Sequence, residues 1–358
     1  MLQKLIKIFL LLIITISTNC FARENIFYSL RFKTEDRMCP AQATMDSLKK
    51  HYRQIDILVP QAFYIDEEGK LGGDIEPDIL NFAASHSIKI MPLVTNRHFD
   101  KQKTHQFLIN QQAQSEALAA LLDTCSKGHF YGLQLDFEMV DKDDRDRLTA
   151  FYKSAADLMH KNGFKISFAL APVVTEHPQS LFLTKVYNNW EAAYDFRQLG
   201  EAADFVSIMA YNQHAGGTTP GSTANWRWVE QTVKYALKYI PHNKISLGLP
   251  TWSTYWHLDT TTGDISGKIM IKMQGIDYKT ATDLLKKYQA SLYWNKDEKY
   301  YFSIFSRDWM NELIFIEDAR AFRYKYGLVK KYRLRGVSMF DLGTEDPGIW
   351  RVLGSNYV

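Results

Sequence analysis

The stretch Tyr131-Gly-Leu-Gln-Leu-Asp-Phe-Glu138 decides the fold. Leu133, Leu135 and Phe137 alternate with Gln134, Asp136 and Glu138, and a period of two is that of a β-strand, whose successive side chains point to opposite faces. The segment therefore reads as a strand carrying Gln134, Asp136 and Glu138 on one face. With a rise of about 3.3 Å per residue, Asp136 and Glu138 start roughly 7 Å apart. Two carboxylates buried together are costly unless they are used, paired or neutralised. The pair points to acid/base chemistry, and the solvated face of an edge strand is the competing reading. The apolar residues, and the charged run Asp141-Lys-Asp-Asp-Arg-Asp-Arg147 that follows, favour a core strand feeding a helix.

Working outward, short apolar runs alternate with polar, helix-periodic ones. Strands are expected at Ile26–Arg31, Ile55–Tyr64, Ile88–Thr95, Gly132–Glu138, Lys165–Ala171, Phe205–Tyr211, Lys244–Leu249 and Gly336–Asp341. Strands separated by helices in this way predict an α/β fold, a (β/α)₈ barrel rather than an open sheet. After the acidic motif, Leu148, Phe151, Ala155, Leu158 and Met159 recur at helical spacing, with Gly163 as the C-terminal cap. A further helix runs from Trp226 to Tyr239. The interval from Pro250 to about Asn311, between the seventh and eighth strands, is too long for a loop. With its helical run Thr280–Tyr288 and aromatic run Ser291–Phe305, it reads as a small α+β insertion at 250–311 on the barrel rim.

At the N-terminus Lys4 and Lys7 lead into an apolar run, and Ser17-Thr-Asn-Cys-Phe-Ala22 follows. This is the layout of a signal peptide over residues 1–22, cut after Ala22, which leaves residues 23–358 as the barrel and implies a secreted or periplasmic protein. Lipid attachment at Cys20 is the rival, although no leucine precedes it at the usual lipobox position. The apolar run is too short to span a membrane, and no later segment reaches that length. The net charge of +3 gives no footprint for nucleic acid. Cys39 and Cys125 remain in the mature chain, and an oxidising compartment would permit but not require their pairing. The histidines are scattered, so no metal and no cofactor is called for. A monomer is the expected state.

In such a barrel the site lies where the strands finish. Strand four supplies Asp136 and Glu138, strand one carries Tyr28, and strand six ends in Met209-Ala-Tyr-Asn212. Strand seven ends near Trp252, and strand eight in Ser338-Met-Phe-Asp341. Carboxylates, amides and phenols beside aromatic faces suit a sugar, with its polar edges and apolar ring faces. Competing readings stand beside each residue. Asp136 could form an ion pair with an arginine, Tyr211 could cap the core, and Gln134 and Asn212 could satisfy buried backbone groups. Trp252, Phe340 and Tyr28 could be ordinary packing, and His214 an ordinary loop contact. Glu317 and Asp318 could pair with Arg320 or Arg323.

On these residues the chain resembles glycoside hydrolase family 18, whose strand-four signature is Asp-Gly-x-Asp-x-Asp-x-Glu. Gly132, Asp136 and Glu138 keep its register, while Tyr131 and Gln134 stand where the family usually has Asp. Met209-Ala-Tyr-Asn212 is similar to the family's Met-x-Tyr-Asp, with Asn212 replacing the Asp. Ile314-Phe-Ile-Glu-Asp-Ala-Arg320, Leu334-Arg-Gly-Val-Ser-Met-Phe-Asp-Leu-Gly343 and Asp346-Pro-Gly-Ile-Trp350 resemble the spore-germination and cell-wall branch. Phe340 stands where the family generally places a Trp.

The resemblance implies retaining hydrolysis of β-1,4 bonds at N-acetylglucosamine units, in chitin-type oligosaccharides or peptidoglycan, with the substrate's own acetamido oxygen as nucleophile. It makes Glu138 the acid and then the base, its pKa raised by the neighbouring carboxylate. Asp136 would hold the acetamido N–H and Tyr211 its carbonyl end. Gln134, Met209, Asn212, Trp252, Phe340 and Tyr28 would be substrate-binding residues. Gln134 is expected to alter pH dependence, since an amide cannot take up charge. Other readings are a non-catalytic, chitinase-like lectin and an endo-β-N-acetylglucosaminidase acting on N-glycans.

Overall fold

A computed structural model describes residues 23–30, 40–258 and 271–354. The expected signal peptide, Cys20, Arg31 and Cys39 lie outside the described residues. Seven parallel strands follow one another as β1 (Glu24–Ser29), β2 (Ile57–Ile65), β3 (Leu93–Asn96), β4 (Gly132–Asp136), β5 (Lys165–Leu170), β6 (Phe205–Met209) and β7 (Ile245–Pro250). The chain then builds a second sheet from β8 (Ser253–Leu258), β9 (Ile271–Ile276), β10 (Tyr293–Asn295), β11 (Tyr300–Arg307) and β12 (Met310–Ile316), before returning as β13 (Gly336–Phe340). Each of β1 to β6 pairs in parallel with the next, β7 pairs with β13, and β13 pairs with β1. The result is a closed barrel of eight parallel strands.

The expected third strand, Ile88–Thr95, is divided. Lys89–Ile90 and Leu93–Asn96 each pair with β2, and the ladder breaks around Pro92, which has no N–H to give. The helix expected after the acidic motif, α1 (Arg145–Lys161), is present, and Gly163 follows it at φ +81°, the left-handed turn that ends a helix. The rim sheet is antiparallel and continues to Ile316, past the expected boundary at 311. Thr254–Trp256 of β8 needs Leu313–Phe315 as its partner. One face of this sheet packs on α3 (Tyr278–Lys287) through Tyr255, Ile276, Ala281, Phe305, Ile314 and Ile316. The helix Trp226–Ala236, α2, precedes β7, and α4 (Ala319–Lys331) follows the sheet and leads back to β13.

Strand alternation sorts the barrel's side chains. Leu133, Leu135, Phe168 and Val206 face the helices, in one large core that includes Phe107, Phe151 and Tyr152. Ile26, Tyr28, Ile57, Val59, Met91, Leu93 and Phe205 fill the barrel's interior. Interior positions one register higher are polar, and they form the floor of the site.

Candidate active site

β4 can carry this motif because Gly132 sits against the neighbouring strand. A Cβ there would come within 1.9 Å of the Lys165 carbonyl oxygen. Two residues on, Gln134 points into the barrel and is wholly buried. Its Oε1 accepts from the Tyr28 hydroxyl at 2.6 Å, and its Nε2 donates to the hydroxyls of Ser167 at 2.8 Å and Ser207 at 3.1 Å. Ser207 continues to Ser338 at 2.8 Å, and Ser338 to Ser246 at 2.6 Å. An uncharged belt thus links residues of six strands. Gln134 and Tyr28, expected to touch substrate, are instead shut inside this belt with their polar atoms spent on each other and on serines. Burial holds the Tyr28 phenol far above its usual range, so it remains a donor.

Asp136 lies above the belt and is 5% exposed. Among the described residues no arginine pairs with it, and its Oδ1 is buried without a hydrogen-bond partner. Burial, reinforced by the charge of Glu138, raises its pKa well above the ordinary range. Glu138 is partly buried just past the strand end, and its carboxyl is pushed up to about 7. The cause is burial, where the sequence points to the neighbouring carboxylate. The two acids share one desolvated space, so charging either opposes charging the other.

Aromatic rings close over the pair. Tyr211 stacks on Phe340 with ring centroids 5.4 Å apart and meets Trp252 edge-on at 5.4 Å, while Phe340 also touches Tyr28 at 5.6 Å. Ala169, Met209, Tyr211 and Trp252 form a buried cluster against which Phe340 and Trp190 pack. Of the expected aromatic platforms Phe340 keeps a partly exposed face, while Trp252 and the expected binding residue Met209 are buried. The Phe340 carbonyl accepts the Thr251 N–H at 2.9 Å, which ties the end of β13 to the end of β7. Asn212 is exposed at the rim at φ +62°, a left-handed turn that Asn tolerates, and its N–H donates to Thr223 Oγ1 at 3.0 Å. His214 is a loop brace, with Nδ1 2.9 Å from the Thr219 carbonyl oxygen.

The family model for glycosyl hydrolases family 18 matches residues 53–345 of this chain. The chain belongs to glycosyl hydrolases family 18. Among relatives, it is 24% identical over 318 residues to the uncharacterized glycosylase YvbX of Bacillus subtilis, covering 87% of each. It is 25% identical over 299 residues to the cortical fragment-lytic enzyme of Bacillus subtilis, covering 83% of this chain and 66% of that one. Among solved structures, it superposes on the Bacillus megaterium spore cortex-lytic enzyme SleL with a TM-score of 0.80 at 21% identity, covering 94% of this chain and 74% of that one. A chitinase from Chromobacterium violaceum gives 0.78 at 23% identity, covering 93% of this chain and 98% of that one.

Several residues that hold this family 18 site in place had no local signature. Asn96, at the end of β3, grips Glu138 by its backbone: Oδ1 accepts the Glu138 N–H and Nδ2 donates to the Glu138 carbonyl, both at 2.9 Å. The Tyr152 hydroxyl accepts the Phe137 N–H at 2.9 Å, and the Tyr194 hydroxyl donates to the Phe137 carbonyl at 2.7 Å. Tyr152 sits in the apolar stripe of α1, where a phenol among Leu148, Phe151 and Ala155 was the available hint. Small displacements of a reacting group are expensive. Asn96→Ala is therefore expected to lower kcat about 10²-fold with less change in KM, measured by steady-state hydrolysis of a soluble oligosaccharide.

Glu317 and Asp318 do not pair with Arg320 or Arg323. Asp318 caps α4 by accepting the Ala321 N–H at 2.8 Å, and Glu317 pairs with Lys325 at 2.5 Å inside the protein. Burial of the Glu317 carboxylate outweighs the Lys325 charge and pushes its pKa up to about 7. Among the described residues, no cluster of His, Cys, Asp or Glu could hold a metal ion, and no helix is long and apolar enough to cross a membrane.

Proposed function

We propose that this family 18 protein hydrolyses β-1,4 bonds at N-acetylglucosamine units, with retention, using the substrate's acetamido oxygen as the nucleophile. The observation that carries the reading is the contrast within the acid pair. Glu138 holds its proton near neutrality at the partly open end of β4, while Asp136 offers a buried oxygen with no protein partner. A proton donor beside an unclaimed acceptor suits a substrate that carries an N–H next to its scissile bond.

In this mechanism Glu138 gives its proton to the glycosidic oxygen as the bond from that oxygen to the anomeric carbon breaks. The acetamido oxygen closes onto the anomeric carbon, and Asp136 accepts the acetamido N–H and faces the developing positive charge. Tyr211 donates to the acetamido oxygen. Water then attacks the anomeric carbon, giving its proton to Glu138 and reopening the ring. Phe340 supplies the flat face beneath the reacting sugar, and Asn212 lies at the rim within reach of flanking hydroxyls. Gln134 and Tyr28 form the buried, uncharged floor beneath Asp136.

The polymer is a chitin-type or peptidoglycan glycan strand, a reading supported by the names of the chitinase and cortex-lytic relatives. The pattern of residues 1–22 adds export to the secreted or periplasmic space. Mass spectrometry of products from chitotetraose and from purified peptidoglycan tests the reading. The wild type is expected to release N-acetylglucosamine-terminated fragments from at least one of them. No product from either between mildly acidic and neutral pH would leave a glycan-binding protein.

A further inference from the structure

We propose that Trp190 is a positioning residue for Glu138: its indole N–H takes up the carboxylate that Glu138 becomes on giving up its proton. The proposal deepens the reading above and rests on it for the identity of the reaction. Nothing in the strand-four motif marks this tryptophan, which sits 52 positions further along the chain, at the end of the helix Leu181–Asn189.

Three observations converge on it. The Trp190 Nε1 is buried, and among the described residues no acceptor meets it in hydrogen-bond geometry. Its ring packs on the cluster of Ala169, Met209, Tyr211 and Trp252 at the strand ends. The helix it terminates has no fully buried residue and reaches the core through Tyr187 and Trp190. The N–H has two neighbours, the Glu138 carboxyl and the Tyr194 hydroxyl. Tyr194 has its own proton committed to the Phe137 carbonyl.

An indole N–H can donate but never accept. It gains little from a protonated carboxyl and much from a carboxylate, because charge-assisted hydrogen bonds are roughly twice as strong as neutral ones. A buried donor left idle in the resting protein is costly, and the reaction supplies its partner. When Glu138 passes its proton to the leaving oxygen, the C–O electron pair goes to that oxygen and the new carboxylate accepts from Trp190. When Glu138 later takes a proton from the attacking water, the N–H is released. Four titratable groups face Glu138 among the described residues. They are Asp136 on β4, Tyr152 on α1, Tyr194 on the following loop and Tyr211 after β6, and none carries positive charge.

The test replaces Trp190 with Phe and, at the same position, with benzothienylalanine, which keeps the ring's shape but has sulfur in place of N–H. Glutamate carboxyl carbons are followed by ¹³C NMR against pH, the Glu138 signal being assigned with Glu138→Gln. Both replacements are expected to raise the upper apparent pKa of the acid pair by about one unit. In turnover of the soluble oligosaccharide, the alkaline limb should move up equally, with kcat about 10-fold lower and KM little changed. Titration and alkaline limb unmoved from wild type in the benzothienylalanine protein would overturn the proposal and assign the N–H to Tyr194. The titration needs no substrate, so its result stands even where the wild type cleaves neither polymer.

Discussion

Glu138→Gln is expected to lower kcat on a soluble N-acetylglucosamine oligomer about 10³-fold, within the usual range for removal of a general acid, while glycan affinity changes little. The amide fills the same volume but has no proton to deliver to a departing oxygen and cannot receive one from water. Calorimetric titration of the variant with the oligomer, beside stopped-time product assays, measures both quantities. Affinity lost together with turnover would make Glu138 a binding group rather than the acid. The wild type should also lose activity as pH rises through about 7, where Glu138 gives up its proton.

The same shift has a sign for stability. The ordinary glutamate value is 4.5 and the folded one about 7. Between them the native state keeps a proton that the unfolded chain has already released, so Glu138 makes the fold progressively less stable as pH rises through that window. Glu138→Gln removes this dependence. Its melting temperature should exceed that of the wild type above about pH 7 and approach it below about 4.5.

Lys325→Met should destabilise the protein by about 3–5 kcal/mol, the cost of stranding one partner of a buried ion pair. Lys325 is 0% exposed and Glu317 4% exposed. The ammonium also donates to the Ala224 carbonyl at 2.9 Å, and the Glu317 N–H reaches Ser253 Oγ at 3.1 Å. One side chain therefore joins α4, the end of the rim sheet and the loop after β6. Without it the Glu317 carboxyl must stay protonated or remain a lone buried charge, so the loss should grow as pH rises. Urea unfolding of Lys325→Met and of Lys325→Met with Glu317→Leu separates the causes. The double variant should regain most of the loss, because an apolar pair leaves no orphaned charge. A double variant as unstable as the single one would show that the bond to Ala224 matters more than the charge.

Much of this was legible because the barrel repeats a simple pattern. Alternation put Gln134 and Asp136 on one face of the strand and Leu133 and Leu135 on the other, and the structure turns the first pair inward and the second toward the helices. The rim insertion followed from an interval too long to be a loop. The residues that aim the site were not legible. Asn96 reaches Glu138 across 42 positions and Tyr194 reaches Phe137 across 57. Periodicity reports which way a side chain points, but not what stands opposite it. Glu317 illustrates the limit: nearby arginines were the obvious partners in sequence, yet the turn into α4 brings Lys325 back over it. Gln134 shows the converse. As a departure from the motif it suggested only an altered pH dependence, and sequence did not show that the surrounding hydroxyls receive an amide without a charge to balance.

The ring's last seam joins its two ends. β1 is flanked by β2 and by β13, and where it meets β13 Glu24 forms a two-pronged salt bridge with Arg335, at 2.7 and 3.0 Å, 311 positions downstream. A ribosome releases β1 first and β13 almost last. Throughout synthesis the chain lacks the strand that would lock it shut, and such distant pairing is slow to form even afterwards. Until that strand arrives the ring remains an open sheet with two unpaired edges, so the cylinder can set only once nearly the whole chain is at hand.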